Sequence, residues 1–170
     1  MILITSAGGK TGKAMIEAFA RSGEVVRAMM RRTDRDDELT ALGAAEIFHG
    51  DLSNPADVAR AAEGCRAIYY ICPNMIATEK DIGDNVIAAA KGANVDRLVF
   101  HSVLHTQVQA LQHHWNRLFV EEAIIESGVS YSILQVGSYY QNMLPGWSKM
   151  LESGVHAMAY EVDAPMSLVD

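Results

Sequence analysis

Short runs that are apolar from end to end alternate with longer amphipathic stretches through the first 135 residues, and this alternation constrains the fold more than any other feature. A strand with no polar face must be covered on both sides, which a parallel sheet between two layers of helices achieves. Residues 1–5, 25–30, 45–48, 67–71, 98–101 and 129–134 read as strands. Between them, 11–22, 34–42, 78–91 and 111–127 read as helices, with a further helix that starts at Pro55 behind Ser53 and Asn54 and stops before Gly64. Thr78 and Asp81 stand at capping-box spacing. The expected architecture is α/β, a doubly wound parallel sheet over residues 1–135. Beyond Gln135 the alternation stops. Residues 136–170 are expected to hold one helix at about 139–151, a strand near 156–160, and the start of another element at 167–170.

The chain has 170 residues, 49% of them hydrophobic, which suits one substantial core rather than two. Its net charge of −7 repels phosphate backbones, so nucleic-acid binding is disfavoured. Cys65 and Cys72 have no ligand partners at metal-site spacing and fit reduced thiols in a cytoplasm. No basic leader precedes the first strand, and no apolar run reaches the about 20 residues a membrane span requires. A cytoplasmic protein with no membrane contact is the expectation.

The first strand runs into Thr5-Ser6-Ala7-Gly8-Gly9-Lys10-Thr11-Gly12, which opens a helix. A dinucleotide site needs a tight turn, a close backbone approach to the pyrophosphate, and a helix N-terminus facing that anion. Gly9 and Gly12 have the spacing for the last two, while Ala7 or Ser6 stands where the first glycine would be. Ser6, Gly8, Gly9, Lys10, Thr11 and Gly12 are therefore candidate cofactor contacts. A nucleotide-triphosphate loop fits worse, because Ala14 occupies the position of its magnesium-binding hydroxyl. The simpler alternative is a plain strand-to-helix turn.

About 20 residues beyond the loop, a site selecting NAD carries an acid for the ribose hydroxyl. Here Arg31 and Arg32 follow the second strand. Two guanidiniums suit a 2′-phosphate through charge-assisted, bidentate hydrogen bonds, so NADP (as NADPH) is preferred over NAD. The other reading is a solvated basic patch balancing Asp34, Asp36 and Asp37.

With this loop, the arginine pair, Gly50-Asp51-Leu52, His101-Ser102-Val103, Val120-Glu121-Glu122-Ala123 and the run 126–134, the sequence resembles the NmrA-like branch of the atypical short-chain dehydrogenases over almost its whole length. The resemblance implies a Rossmann-like nucleotide domain in which Asp51 and Leu52 border the adenine and Cys72, Pro73 and Asn74 line the path to the nicotinamide. For Asp51 a helix-capping role near Pro55 is the alternative. It also implies a substrate lobe extending past residue 170, so residues 136–170 would be only part of it, with Tyr139, Tyr140 and Asn142 on the substrate side. Gln135-Val136-Gly137 departs from the Arg-Pro-Gly often found there.

Reducing members of the wider family use a Tyr and a Lys four residues later. The corresponding helix here offers His113 and Arg117, one turn apart, as a substituted catalytic pair, or else as ordinary surface polar groups. Ser102 lacks the strained elbow of a hydrolase nucleophile and is assigned to the cofactor groove. His101, His105, His113 and His114 have no carboxylate or cysteine to complete a metal set, so no metal is expected. Two functions follow: an NADPH-dependent oxidoreductase acting on a small carbonyl, quinone or related acceptor, or a non-catalytic NADP sensor that binds a regulatory protein partner. The resemblance further implies that Tyr139, Tyr140, Met143, Leu144 and Trp147 would lack their usual cover, which predicts a homo-oligomer. The alternative is that the helix from Tyr139 folds back over its own sheet and closes a monomer.

Overall fold

Six strands, β1 (Ile2–Ile4), β2 (Val26–Met30), β3 (Glu46–His49), β4 (Ala67–Tyr70), β5 (Arg97–Val103) and β6 (Tyr131–Val136), form one parallel sheet in the order β3-β2-β1-β4-β5-β6. Ile2 lies opposite Val26 on one side and Ala67 on the other, so the direction of winding reverses between β1 and β4. In open α/β sheets ligands bind at such a switch point, beyond the carboxyl ends of the strands. The computed structural model describes residues 1–156, 161, 163 and 165–170. Its contacts group into two units, Met1–Gln135 and Val136–Asp170.

Five helices of the first unit follow the strands: α1 (Lys10–Arg21), α2 (Asp36–Ala41), α3 (Pro55–Ala62), α4 (Glu79–Gly92) and α5 (Gln112–Glu126). The period-2 geometry of a strand explains why these strands are apolar throughout. Leu3, Ile68, Tyr70, Leu98 and Phe100 point to one face and pack with Val58, Val86, Val120 and Ile124. Ile2, Ile4, Val26, Ala28 and Tyr69 point to the other and meet Ile16 and Leu39. Two cores result, one on each side of the sheet.

Among the described helices of the first unit, α3 alone starts with a side-chain capping bond. Asn54 caps α3 by accepting from the Ala56 amide at 3.0 Å, and Pro55 fills the first helical position. The expected capping box at Thr78 does not form. Thr78 has φ −92° and ψ 21° instead of an extended conformation, and its hydroxyl makes no capping bond to α4. Gly83 on α4 is a true close approach, because a Cβ there would stand 3.0 Å from Val120 Cγ1 on α5. The contact sets the crossing of these helices and brings Glu79, one turn before Gly83, level with Arg117, nearly a turn before Val120.

In the second unit, β7 (Ser138–Tyr139) pairs in parallel with β8 (Leu168–Val169), the element expected at 167–170. The single helix expected at 139–151 is two segments, a 3-10 stretch Tyr140–Gly146 and the helix α6 (Trp147–Ser153). Pro145 supplies no amide hydrogen and disfavours α geometry at Leu144, so regular α bonding begins only after Gly146. The strand expected near 156–160 lies, past His156, outside the described residues.

Candidate cofactor-binding site

The loop after β1 turns on Ser6, whose φ of +48° is the left-handed conformation usually reserved for glycine. This is where the longer glycine spacing would place its first glycine. The cost to a non-glycine residue is about 1 kcal/mol or more, and the Ser6 hydroxyl offsets it by donating to the Ile71 carbonyl at 2.9 Å. Thr5, fully buried, adds a donated bond to the same carbonyl and accepts from the Ile71 amide, both at 2.8 Å. The loop is thereby tied to the chain leaving β4.

Gly12 is required by packing: a Cβ there would meet Ala7 Cα and O at 2.6 Å and Ser6 O at 2.7 Å. Gly9, just before α1, has ordinary backbone angles, and a Cβ there would meet only Ser6 O, at 3.3 Å. Side-chain volume at Gly9 would instead occupy the space in front of the first amides of α1, those of Lys10, Thr11 and Gly12, where an anion is favoured by the free N–H groups and the helix dipole. The loop fits a pyrophosphate.

A cavity of about 440 Å³ opens from this loop. Ser6, Gly8, Gly9, Arg31, Arg32, Asp51, Leu52 and Pro73 of the expected set line it, together with Met29, Met30, Arg35, Gly50, Ser53, Ile76, Thr78 and Ile82. Its basic end is not a uniform patch. Arg32 forks onto Asp34, with Nε to Oδ1 at 2.8 Å and Nη2 to Oδ2 at 2.5 Å, and that bond holds the Asp34 carboxyl below its usual range. Arg31 is largely exposed, its Nη1 3.6 Å from Asp51 Oδ2. Arg35 donates from Nη1 to the Gly8 carbonyl at 2.9 Å. Sequence reasoning missed Arg35; it stands four residues after Arg31, but the intervening Thr33-Asp34 reads as a helix start.

Asp51 does not cap the helix at Pro55, since Asn54 does. Its Oδ1 instead accepts from the Ser53 amide at 2.9 Å and the Ser53 hydroxyl at 2.8 Å, bonds that lower its carboxyl from the ordinary value. Ser102 was expected in the groove and is not among its lining residues. Strand alternation puts it on the face of Leu98 and Phe100, where it is buried and its hydroxyl bonds to Glu121 Oε1. Gln135 completes that cluster, donating from Nε2 to Glu121 Oε2 at 2.9 Å. Cys72 is likewise buried, and burial pushes its thiol up to about 12. Asn74 is exposed, and Met75 after it has φ +55°.

Of the two readings of His113 and Arg117, the one that makes both ordinary surface groups needs correction. Arg117 is only 4% exposed; its Nε lies 2.7 Å from Glu79 Oε1, and its Nη1 donates to the His101 carbonyl at 2.5 Å. Its guanidinium also stands over the Phe100 ring at 5.5 Å. Glu79 is fully buried, which raises its carboxyl despite the attraction of Arg117. His113 is partly buried with Nδ1 3.7 Å from Glu79 Oε2, and burial followed by the Arg117 charge lowers its ring below the usual histidine value. Glu79 too escaped sequence reasoning. Its signal is a carboxylate in helical step with Ile82, Val86 and Ala90, the buried stripe of α4.

His101 Nδ1 lies 2.8 Å from the Tyr69 hydroxyl. Among the described residues no group of three or more His, Cys, Asp or Glu side chains is placed to hold a metal ion, and no helix is long and apolar enough to cross a membrane. Tyr139 sits in β7, while Tyr140 and Asn142 lie exposed in the 3-10 stretch of the second unit.

A parallel sheet in this strand order, with a glycine loop entering α1 beside an arginine-edged cavity at the switch point, defines a Rossmann dinucleotide-binding domain. The NAD(P)H-binding family matches residues 6–150, and the chain belongs to that family. Its resemblance to the NmrA-like atypical short-chain dehydrogenases stands with this match. It is similar to quinone oxidoreductase 2 of Escherichia coli, 28% identical over 157 residues that cover 91% of this chain and 54% of that enzyme. A crystal structure of an NADPH-dependent quinone oxidoreductase from E. coli complexed with NADPH superimposes with a TM-score of 0.78, at 28% identity, over 91% of this chain and 55% of that one. The triphenylmethane reductase of Citrobacter sp. shares the fold, with a TM-score of 0.80 at 23% identity over 90% of this chain and 55% of that one. The chain spans about half the length of these relatives.

Proposed function

We propose that this chain is the nucleotide-holding part of an NADPH-dependent oxidoreductase acting on a quinone-like or small carbonyl acceptor. The observation that carries the reading is the arrangement of Gly9 and the start of α1 at one part of the cavity and of Arg31, Arg32 and Arg35 at its edge. An anion-binding loop and a guanidinium cluster on one cavity suit a pyrophosphate and a ribose 2′-phosphate on one ligand. Similarity to an E. coli NADPH-dependent quinone oxidoreductase gives the same direction for the acceptor.

When bound, NADPH supplies a hydride. The chain's own residues bind and orient it. Amides of Lys10, Thr11 and Gly12 face the pyrophosphate, and the arginines hold the 2′-phosphate. Met29, Leu52, Ile76 and Ile82 give the cavity apolar surface that excludes water from the adenosine part. Pro73, which lines the cavity, leads toward the nicotinamide.

The test is NADPH binding followed by turnover. Isothermal titration with NADPH and NADH is expected to show tighter NADPH binding, and NADPH absorbance is expected to fall when small quinones are added. Equal affinities reject the NADP preference. NADPH binding with no oxidation by any quinone or aldehyde rejects the reductase and leaves a nucleotide-responsive binding protein.

A further inference from the structure

The segment 71–78 has no regular secondary structure, yet its Pro73, Ile76 and Thr78 form a wall of the cavity. Its start is pinned by the Thr5 and Ser6 hydroxyls on Ile71. Its far end meets a different device. Glu79, the next residue, is fully buried and faces Arg117, itself 4% exposed. We propose that Glu79 and Arg117 are positioning residues of the cofactor site, their buried ion pair fixing the end of the 71–78 wall against β5 and α5. The proposal rests on the NADPH reading above.

Three observations support it. First, the pair is costly where it stands: two charges leave water, and a buried pair is often no more stabilising than apolar side chains of similar volume. Although Arg117 Nε and Glu79 Oε1 are 2.7 Å apart, the N–H is not aligned with the oxygen, and neither carboxylate oxygen has a well-aligned hydrogen bond. Core stability by itself is therefore a weak reason for the pair.

Second, Arg117 joins three elements at one point, adding to the Ser102–Glu121 bond between β5 and α5. From α5 its Nη1 reaches the His101 carbonyl on β5 and its Nε reaches the first residue of α4. Third, the pair takes over where the local signal is missing. Thr78 makes no side-chain capping bond, and at Glu79 the start of α4 is met by Arg117 from another helix. A shift of Glu79 carries Thr78, Ile76 and Pro73 with it, and the cavity wall moves.

The experiment compares binding with folding in the full chain. Glu79→Gln keeps the shape and removes the charge; the double variant Glu79→Leu with Arg117→Met replaces the pair by apolar volume. Each is melted by circular dichroism and titrated with NADPH, following nicotinamide fluorescence, well below its melting temperature. The expected result is cooperative unfolding in both with NADPH affinity at least tenfold weaker than in the unaltered chain. Affinities within twofold of the unaltered chain in folded variants overturn the proposal and leave the NADPH reading intact. Failure of both variants to fold assigns the pair to stability and also overturns it. If the unaltered chain itself binds no NADPH, both readings fall.

Discussion

Arg35 reaches back across 27 residues to donate to the Gly8 carbonyl at 2.9 Å, joining the turn after β2 to the loop after β1 at the mouth of the cavity. Arg32 is held by Asp34, so the guanidinium already oriented toward the loop is that of Arg35.

Arg35→Ala is therefore expected to weaken NADPH binding by about tenfold or more, the range of a lost charge-assisted hydrogen bond at about 1.5–3 kcal/mol, and to leave NADH binding nearly unchanged. Arg31→Ala acts in the same direction, and Arg32→Ala less. Calorimetric titration with both nucleotides checks the order. Equal losses for NADPH and NADH would mean that Arg35 only shapes the loop.

Two glycines of the loop separate binding from folding. Gly9→Val is expected to abolish NADPH binding with a melting temperature close to that of the unaltered chain, because the added methyls enter the space before α1. Gly12→Ala places a Cβ 2.6 Å from Ala7 and is expected to cost about 1–3 kcal/mol of stability, the usual penalty for overpacking. Denaturant melts and NADPH titrations of both variants test the split.

Cys72 should be inert in the folded protein. The residue is 2% exposed and its thiol is pushed up to about 12, chiefly by burial, so the thiolate that reacts with alkylating agents is scarce at neutral pH. Iodoacetamide followed by mass spectrometry is expected to modify it only after denaturation, and rapid native labelling would contradict this.

These cases show what the sequence discloses and what it withholds. The strands with their two apolar faces, the glycine loop and the arginine pair are written locally, in residues adjacent along the chain, and all were legible. Ser102 was assigned to the groove because strand boundaries were readable while the facing of an individual residue was not. The surface reading of Arg117 fails for a related reason. A stripe that includes a charge looks like surface until its partner is known, and Glu79 lies 38 residues earlier on another helix. The 3-10 stretch before α6 was signalled by Pro145 and passed over in favour of one helix.

His101 makes stability pH-dependent. Burial first, and then the Arg117 charge, lower its ring to about 4 from an ordinary 6.5. The unfolded chain thus binds the proton more readily than the folded one, and stability falls as pH drops from about 6.5 toward 4. The shift corresponds to about 3 kcal/mol, or on the order of 2 kcal/mol once partial contact with water is allowed for. Urea melts at pH 7 and pH 4.5 are expected to show this loss, and His101→Gln to reduce it. An unchanged pH slope in that variant would remove His101 as the cause.

Tyr140, Leu144, Trp147 and Leu151 are all about half exposed or more, and large apolar side chains gathered on one short segment favour association. Light scattering over a dilution series is expected to show a mass above that of one chain at micromolar concentration. A single monomeric mass, with no binding of a hydrophobic dye, would contradict self-association.

Gly83 has a bearing on how such a chain diverges. With Val120 Cγ1 only 3.0 Å from where a Cβ would stand, even alanine at position 83 requires the Val120 side chain to give by a few tenths of an ångström, and a larger side chain presses harder on the helix that carries Arg117 to Glu79. Positions 79, 83 and 117 are therefore not free to drift one at a time. Chains that retain Glu79 and Arg117 are expected to keep glycine, or at most a small residue with a compensating change at 120, at position 83, so these positions should be inherited together.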